Sequence, residues 1–493
     1  MHGAHTRLLV LLFLILGNIG STVLSTPKLT LDEFFNYTQL TFFALAPDDG
    51  QSILIQTAHH VWEESVNEQH LYLQSLSNEN TVSITARASA ALKPRWHGEW
   101  IAYIVENTVG NAHDDQQYSI ELFSSRTEQR VSLPVGNKPI HAFAWSSSGS
   151  ALYYATETSR SNETENEYKN EWKGVIEHRA RESGDTIYLI HFKSIAQVQI
   201  DIVANISLSV SELICSPDGK YLVYSTESRN GQIESMGDYE IYSLLLTSPS
   251  TTVPSRLTNN QAIERKLAWF KDESILFTVS SEGSIDGEYK DRQGRLYSLN
   301  LTNVHIDRWA DQFKGSITDF ALLEDGVAIL GQLSTEVQVY TQQSPKSELI
   351  SRLGRRGTYE AITVVAVGGT STIAFIHSSF DVPQEIYVAD RIDRLTDARP
   401  VSHVNRLFTQ RNLPKGASYR WRNDDDGVEV EGVLHYPPDK FEQKNLPLLV
   451  LIHGGPYRAS LNAFQISWYY CAVMMATEDW LVLQPNYRGS TGS

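Results

Sequence analysis

The sequence contains 493 residues, of which 41% are hydrophobic and 20% are charged. This composition is typical of a folded chain, and the length exceeds that of one ordinary hydrophobic core, so we expect at least two domains or one domain of repeated units. The formal net charge of −17 makes the average surface acidic, which disfavours nucleic acid and anionic lipid as general partners.

The N-terminus has the pattern of a signal peptide. His2, His5 and Arg7 precede an apolar run over residues 8–16, and mostly small and polar residues follow up to Ser25. The run is too short to cross a bilayer of ~30 Å as a helix. We therefore predict a signal peptide over residues 1–25 and a secreted, extracellular protein. An uncleaved anchor is the alternative, and the membrane is a partner only in that case.

Asn-x-Ser/Thr sequons accompany this pattern and predict N-glycosylation in the secretory pathway. The two cysteines, Cys215 and Cys471, are far apart in the sequence and do not define a disulfide framework. The sequons lie at Asn36, Asn162, Asn205 and Asn300.

One sequence pattern recurs seven times in the next part of the chain: a polar turn containing Asp, Gly or Ser, followed by a short apolar run. A second run with aromatic or branched residues follows each of the first. A period of roughly 50 residues with about four short strands per unit is typical of β-propeller blades. We predict a seven-bladed β-propeller with a short lead-in over residues 26–410, against the alternative of a β-sandwich with similar turns. The first runs lie at 53–55, 101–105, 151–154, 221–224, 275–277, 327–330 and 373–376, and the second at 71–73, 120–123, 187–190, 241–244, 296–299, 337–340 and 385–388.

The third unit contains an insertion over residues 157–185 that is rich in Glu, Asn and Arg. Tyr168, Trp172 and Ile176 recur there at helical spacing, which predicts an inserted amphipathic element. Its glutamates either form a solvated face that pairs locally with Arg179 and Arg181 or bind a ligand. These glutamates are Glu163, Glu165, Glu167, Glu171, Glu177 and Glu182.

A second domain is predicted over residues 411–493. A hairpin with an Asp426-Gly427 turn opens it, and Arg422 stands where a calcium-binding loop would need an acid. An apolar run over 446–452 then predicts a strand buried on both faces, followed by a His-Gly-Gly-Pro turn at 453–456, a helix around 464–475 and a strand over 480–483. Strand, glycine turn, helix and strand are typical of the opening of an α/β domain.

Two motifs in this segment carry a family resemblance. Leu-Leu-Val-Leu-Ile-His-Gly-Gly-Pro at 448–456 and Gln-Pro-Asn-Tyr-Arg-Gly-Ser-Thr-Gly at 484–492 together resemble the start of the hydrolase domain in the acylaminoacyl-peptidase and dipeptidyl peptidase V branch of the prolyl oligopeptidase family. The resemblance implies an all-β propeller followed by an α/β-hydrolase, a serine peptidase that acts on short peptides, and no cofactor or metal.

The glycine turn has a chemical role in such an enzyme. Backbone N–H groups stabilise the negative charge of a tetrahedral intermediate, and glycine permits the close approach, so the candidate donor is the N–H of Gly455. His453 precedes any nucleophile and is not the triad histidine, while Tyr487 and Arg488 are expected to brace the site. The resemblance to peptidases that remove dipeptides also implies that Glu177 and Glu182 bind the substrate's amino terminus.

No Gly-x-Ser-x-Gly motif occurs in the sequence, although serine hydrolases of this order place their nucleophile in one. We therefore expect the Ser/Asp/His triad beyond Ser493, in a longer form, and no peptidase activity from this chain alone. A secreted, non-catalytic propeller that binds peptide or protein is the alternative, and an esterase or lipase would share the His-Gly-Gly turn but not the repeats. Dipeptidyl, acylaminoacyl and internal cleavage stay open, as does the oligomeric state.

Overall fold

The computed structural model describes residues 26–85, 91–108, 116–158, 184–194, 197–228, 236–247, 253–271, 273–283, 289–454, 458–464, 466 and 471–492. The described chain begins with helix α1 (Leu31–Phe35). A capping box sets its start: the Thr30 hydroxyl accepts from the Glu33 amide at 3.3 Å, and the Glu33 carboxylate accepts from the Thr30 amide at 3.1 Å. In the part of the chain that the structure describes, no helix is long and apolar enough to cross a membrane.

The following part of the chain, from Thr38 to Ile206, forms antiparallel sheets whose strands pair in chain order. The predicted insertion joins the paired ends of two neighbouring strands, at Glu157 and Asp185; residues 159–183, which carry the predicted amphipathic element, lie outside the described residues. The first sheet contains β1 (Thr38–Leu45), β2 (Ser52–Val61), β3 (Val66–Ser75) and β4 (Thr81–Ser83); the second contains β5 (Ala91–His97), β6 (Trp100–Thr108), β7 (Gln116–Ser124) and β8 (Arg130–Gly136); the third contains β9 (Ile140–Trp145), β10 (Ala151–Glu157), β11 (Asp185–Ser194) and β12 (Gln197–Ile206).

The same arrangement continues to residue 400. In the last part, two four-stranded units are joined by a single parallel pair between Val337 and Thr358. The fourth sheet contains β13 (Ser209–Cys215), β14 (Tyr221–Glu227), β15 (Ile241–Leu245) and β16 (Ser255–Arg256); the fifth contains β17 (Ala262–Phe270), β18 (Ser274–Gly283), β20 (Arg295–Asn300) and β21 (Ile306–Trp309), with β19 (Tyr289–Asp291) beside β18; the joined units contain β22 (Ser316–Leu323), β23 (Gly326–Leu333), β24 (Glu336–Gln342), β25 (Ile350–Ser351), β26 (Thr358–Val367), β27 (Thr370–Ser378), β28 (Glu385–Ala389) and β29 (Arg399–Pro400). Short 3₁₀ helices occur at Met236–Asp238, Leu395–Asp397 and Phe408–Gln410.

The repeats seen in the sequence correspond to these strands. Every first run lies in the second strand of a unit, every second run lies in the third, and the two strands pair antiparallel. The turn glycines Gly50, Gly149 and Gly219 have φ values of 65°, 67° and 72°, a conformation that favours glycine. Aromatic rings stack across the same strand pair in several units, namely Tyr154–Tyr188, Tyr224–Tyr242, Phe277–Tyr297 and Phe375–Tyr387.

Apolar cores lie between the sheets. Each unit shares buried side chains with the next, and the last unit shares them with the first, so the units close into a ring as propeller blades do. In chain order, these cores contain Leu54 with Ile101, Ile104 with Leu152, Ala155 with Leu222, Val223 with Phe277, Leu276 with Ile329, Leu330 with Phe375, and Ile376 with Ile55.

The C-terminal segment forms a separate sheet with the order β30-β31-β33-β32. Its first two strands form the predicted hairpin, in which Gly427 has a φ of 69°. The last two strands are parallel and are separated in sequence by helix α2, as an α/β opening requires. Its elements are β30 (Lys415–Arg422), β31 (Glu429–Tyr436), β32 (Leu448–Val450), α2 (Ala472–Thr477) and β33 (Leu481–Asn486).

Two details of this segment differ from the sequence predictions. Within the helix predicted around 464–475, the described residues from Ala472 onward are helical, whereas Phe464 and Ile466 are not helical and pack into an apolar cluster with the lead-in. The strand predicted to be buried on both faces lies at the edge of its sheet, where it exposes Leu448 and Ile452 by 51% and 72%.

The lead-in packs against the C-terminal segment. Leu29, Phe34 and Tyr37 share a buried cluster with Phe464 and Val473. This contact ties the start of the described chain to its end, on the side of the ring that faces the C-terminal sheet. The boundary between residues 410 and 411 stays a prediction.

Candidate functional site

The two sequence motifs meet at the carboxyl ends of the parallel strands β32 and β33. His453 follows β32, is 5% exposed, and stacks on the Tyr487 ring with centroids 4.6 Å apart. The Tyr487 hydroxyl donates to the His453 carbonyl oxygen at 3.1 Å. The carboxyl edge of a parallel sheet is where open α/β folds place their ligands, so these contacts define the candidate site.

Ser490 completes this contact between the motifs. Its Oγ lies 3.3 Å from His453 Nε2, but its hydroxyl also donates to the Tyr487 carbonyl oxygen at 2.7 Å. A hydroxyl has one proton, and the shorter bond uses it. Ser490 is fully buried. A substrate carbonyl therefore cannot reach its oxygen, and the pair joins the two motifs rather than forming a nucleophile with its base.

A second link fixes the chain after the glycine turn. The Asn486 side chain accepts from the Ser460 amide at 2.6 Å and donates to the Ser460 carbonyl at 3.0 Å. Asn486 and Ser460 are 4% and 3% exposed. This bidentate contact holds the end of β33 against the segment that follows the His-Gly-Gly-Pro turn.

The last described residues bind the neighbouring propeller-like sheets. The Thr491 carbonyl accepts from Gln332 Nε2 at 2.8 Å, and the Gly492 carbonyl accepts from the Ser334 amide at 2.8 Å. The Gly492 amide donates to Gln293 Oε1, also at 2.8 Å. The motif at 484–492 is thus held from both sides, by the C-terminal sheet and by the β19–β20 connection, β23 and the turn between β23 and β24.

An open groove of about 510 Å³ lies beside the second motif. Its lining includes Ser334, Arg420 and Glu431, together with Tyr487 and Arg488 of the motif itself. Arg420 Nε lies 3.4 Å from the Glu431 carboxylate. The groove combines apolar surface with charged side chains, and it lies where the two parts of the chain meet.

The other predicted site residues are placed as follows. Gly455, Glu177, Glu182 and Asn162 lie outside the described residues, so their proposed roles stay predictions. Arg488 binds the Asp426 carboxylate at 2.6 Å, and Tyr487 contacts His453 as described above. Asn36 and Asn205 are exposed, whereas Asn300 is half-buried and its amide donates to the Ser274 hydroxyl at 3.3 Å.

Sequence reasoning missed the residues that connect the C-terminal segment to the sheets, chiefly Asn462. This residue is 7% exposed and bonds to Thr335, Glu336, Thr358 and Phe380. No local pattern marks Asn462, because all of its partners are more than 80 residues away.

A buried histidine lies behind the site. His435 is fully buried on β31, and its Nε2 pairs with Gln484 Oε1 at 2.9 Å. Burial lowers the pKa of His435 to about 4, so the ring is neutral at neutral pH. Within the described ranges, no group of three or more His, Cys, Asp or Glu side chains could hold a metal ion.

Comparison with known proteins gives the following relationships. No family model matches the chain. Dipeptidyl-peptidase 5 of Porphyromonas gingivalis is 23% identical over 289 residues, which cover 57% of this chain and 40% of that protein. Probable dipeptidyl-peptidase 5 of Aspergillus niger is 36% identical over 164 residues, which cover 31% of this chain and 22% of that protein.

The fold has a solved counterpart. The acylaminoacyl peptidase of Pyrococcus horikoshii superposes with a TM-score of 0.67 at 15% identity, over 93% of this chain and 67% of that one. At this identity the likeness shows the fold alone. The chain spans less than half the length of the curated relatives named above. The chain is therefore similar in sequence to proteins named dipeptidyl-peptidase 5 and shares the fold of an acylaminoacyl peptidase.

Proposed function

We propose that this chain is the N-terminal part of a secreted serine peptidase that, in its full-length form, hydrolyses short peptides from the amino-terminal end. One observation carries the proposal: the His-Gly-Gly-Pro and Asn-Tyr-Arg-Gly-Ser motifs, 34 residues apart at His453 and Tyr487, meet at the carboxyl ends of two parallel strands. This is where an α/β-hydrolase assembles its oxyanion hole and nucleophile.

The chemistry assigned to this site is acyl transfer. The Gly455 amide is proposed as one oxyanion donor, and the second comes from the residue after the nucleophile in the longer form. The described contacts support this role indirectly, because the stacking of His453 on Tyr487 fixes the strand end from which the turn departs. Loss of one such donor typically raises the barrier by ~2.7 to 4 kcal/mol.

The sheets before the site are proposed to form a seven-bladed propeller over residues 26–410 that limits substrate size. The shared apolar cores between successive units, and between the last and the first, support a closed ring. The insertion is proposed to contribute Glu177 and Glu182 as ligands of the substrate's free amino group. In the full-length form, Glu177→Gln and Glu182→Gln should raise KM for free dipeptidyl amides but not for N-acetylated substrates. Equal KM values for wild type and variants would contradict the proposed binding of the substrate's amino group by these two glutamates.

The triad is proposed to lie beyond Ser493, so that the chain over 1–493 is inactive alone and residues 411–493 are the start of the hydrolase domain. The test is hydrolysis by the protein of the complete reading frame. We expect cleavage of dipeptidyl amides or of N-acetyl-aminoacyl amides, and the ratio of the two kcat/KM values assigns the activity. Absence of both activities in a folded full-length protein favours the alternative, a secreted propeller that binds peptide or protein without cleaving it.

The secretory features are proposed separately from the enzyme chemistry. Cleavage near Ser25 and glycosylation of Asn36, Asn162, Asn205 and Asn300 are expected when the chain is expressed with its own leader. N-terminal sequencing of the secreted protein and its mass shift after glycan removal measure both. A cell-associated protein that retains residues 1–25 would instead indicate a membrane anchor.

A further inference from the structure

The outer strand of the third sheet, β12, has an unusual free edge. It has 10 residues and, among the described residues, pairs only with β11, whereas the outer strands β4, β16, β21, β25 and β29 have 2 to 4 residues and β8 has 7. Proteins usually protect long edges with Pro, Lys or Arg. The outer strand β8 carries Arg130 and Pro134, but β12 has the sequence QVQIDIVANI, in which Asp201 is the only charged residue.

An apolar stripe runs along this edge. Val198, Ile200 and Ile202 alternate along the strand and therefore point to one face of the sheet. They are 39%, 42% and 65% exposed. In the sheet register, Val198 lies opposite Phe192 and Ile200 lies opposite Ile190, and both β11 residues belong to the core shared with the second sheet. The stripe therefore continues this buried core to the outer edge of the third sheet.

The stripe is complementary to itself. When two copies of β12 pair antiparallel with Ile200 opposite Ile200, Val198 of each copy lies opposite Ile202 of the other. On the opposite face of the same pairing, Gln199 of each copy lies opposite Asp201 of the other. Amide and carboxylate are compatible partners, and Gln199 Nε2 already donates to both Asp201 oxygens within the chain, at 3.1 and 2.9 Å. A register centred on Asp201 would instead place two carboxylates directly opposite each other, which is unfavourable.

We propose that β12 pairs with β12 of a second copy of this chain, forming a two-fold dimer in which the third sheets of both copies become one continuous sheet. A closed two-fold contact uses the same patch on both molecules and covers both free edges. Asn205, the predicted glycosylation acceptor on this strand, lies three residues beyond Ile202 and outside the paired segment. The inference does not depend on the proposed peptidase activity.

The interface is small, so the dimer is weak. Strand pairing over five to seven residues buries less than the ~1,200 Å² of a stable complex, and we expect a dissociation constant in the micromolar range. Sedimentation velocity of the full chain from about 1 to about 200 µM should show a concentration-dependent monomer–dimer equilibrium. A monomer throughout this range, or assemblies that grow beyond the dimer, would overturn the proposal.

Two pairs of variants separate edge pairing from other contacts. Ile200→Lys places two like charges at the two-fold centre and should raise the dissociation constant by at least about tenfold. Leu353→Lys alters an 80% exposed apolar side chain away from β12 and should leave the equilibrium unchanged. In case Ile200→Lys fails to fold, Ile200→Cys should form a disulfide-linked dimer under mild oxidation, and Leu353→Cys should not. Equal cross-linking of the two cysteine variants would contradict the register.

Discussion

Asn462 is predicted to hold the C-terminal segment onto the propeller-like sheets. Its Nδ2 donates to Glu336 Oε1 at 2.9 Å, and its Oδ1 accepts from the Phe380 amide at 3.1 Å. Asn462→Ala removes both bonds and leaves the Phe380 amide, in an 8% exposed residue, without its acceptor. A bond to a charged group contributes ~1.5–3 kcal/mol and an unsatisfied buried donor costs ~1–3 kcal/mol. The two contributions are not fully additive, so we expect Asn462→Ala to lower the free energy of unfolding by about 2–4 kcal/mol.

Urea unfolding followed by tryptophan fluorescence measures the loss, and hydrogen exchange at the Phe380 amide locates it. Asn78→Ala is the matched control, because Asn78 is exposed and makes one local bond to the Asn80 amide at 3.0 Å. The control should stay within ~0.5 kcal/mol of wild type. If Asn462→Ala is equally neutral and exchange at Phe380 is unchanged, the contact does not hold the two parts together and the reasoning is wrong.

Two further substitutions test the sheets themselves. Glu212 accepts from the Lys266 and Leu267 amides of the next sheet at 2.7 and 2.8 Å, so Glu212→Ala should lower the free energy of unfolding by at least about 3 kcal/mol; a change below 1 kcal/mol would contradict this linkage. Burial is the strongest influence on the Glu264 carboxyl and raises its pKa. Hydrogen bonds to the carboxylate oppose this effect and the nearby Glu240 adds to it, and the resulting pKa is about 8. Because this folded pKa is raised, the free energy of unfolding should fall as pH rises from about 4.5 to about 8. Glu264→Gln should remove that decline and exceed wild type in stability at pH 8, and urea titrations that show the same decline in both proteins would refute the assignment.

The strands of the ring could be predicted because their signals are local. A turn glycine such as Gly149 or Gly219 lies just before the apolar run that forms the next strand. The cross-strand pair Tyr154–Tyr188 lies in two runs, each of which has the sequence pattern of a strand. These signals depend on backbone conformation and on alternation of side chains, which neighbouring residues determine.

The contacts at the site could not be predicted because they join distant parts of the chain. Phe464 lies in the stretch predicted to be helical, but it is not helical and instead packs with Phe34 and Tyr37 of the lead-in. The partners of Asn462 lie in β24 and β26 and after β27. Ser490 belongs to the motif at 484–492, and only the structure brings its hydroxyl to His453. Tertiary packing decides these positions, and a single sequence carries no signal for it.

The most direct test of the central claim is labelling with a fluorophosphonate, which reacts with activated serines, followed by mass spectrometry. We expect no label on the 493-residue chain, including Ser490, which is fully buried. We expect one labelled serine, within a Gly-x-Ser-x-Gly sequence beyond Ser493, in the protein of the complete reading frame. A label on any serine of residues 1–493, or a folded full-length protein that takes up none, would contradict the claim that this chain is the non-nucleophilic part of a serine peptidase.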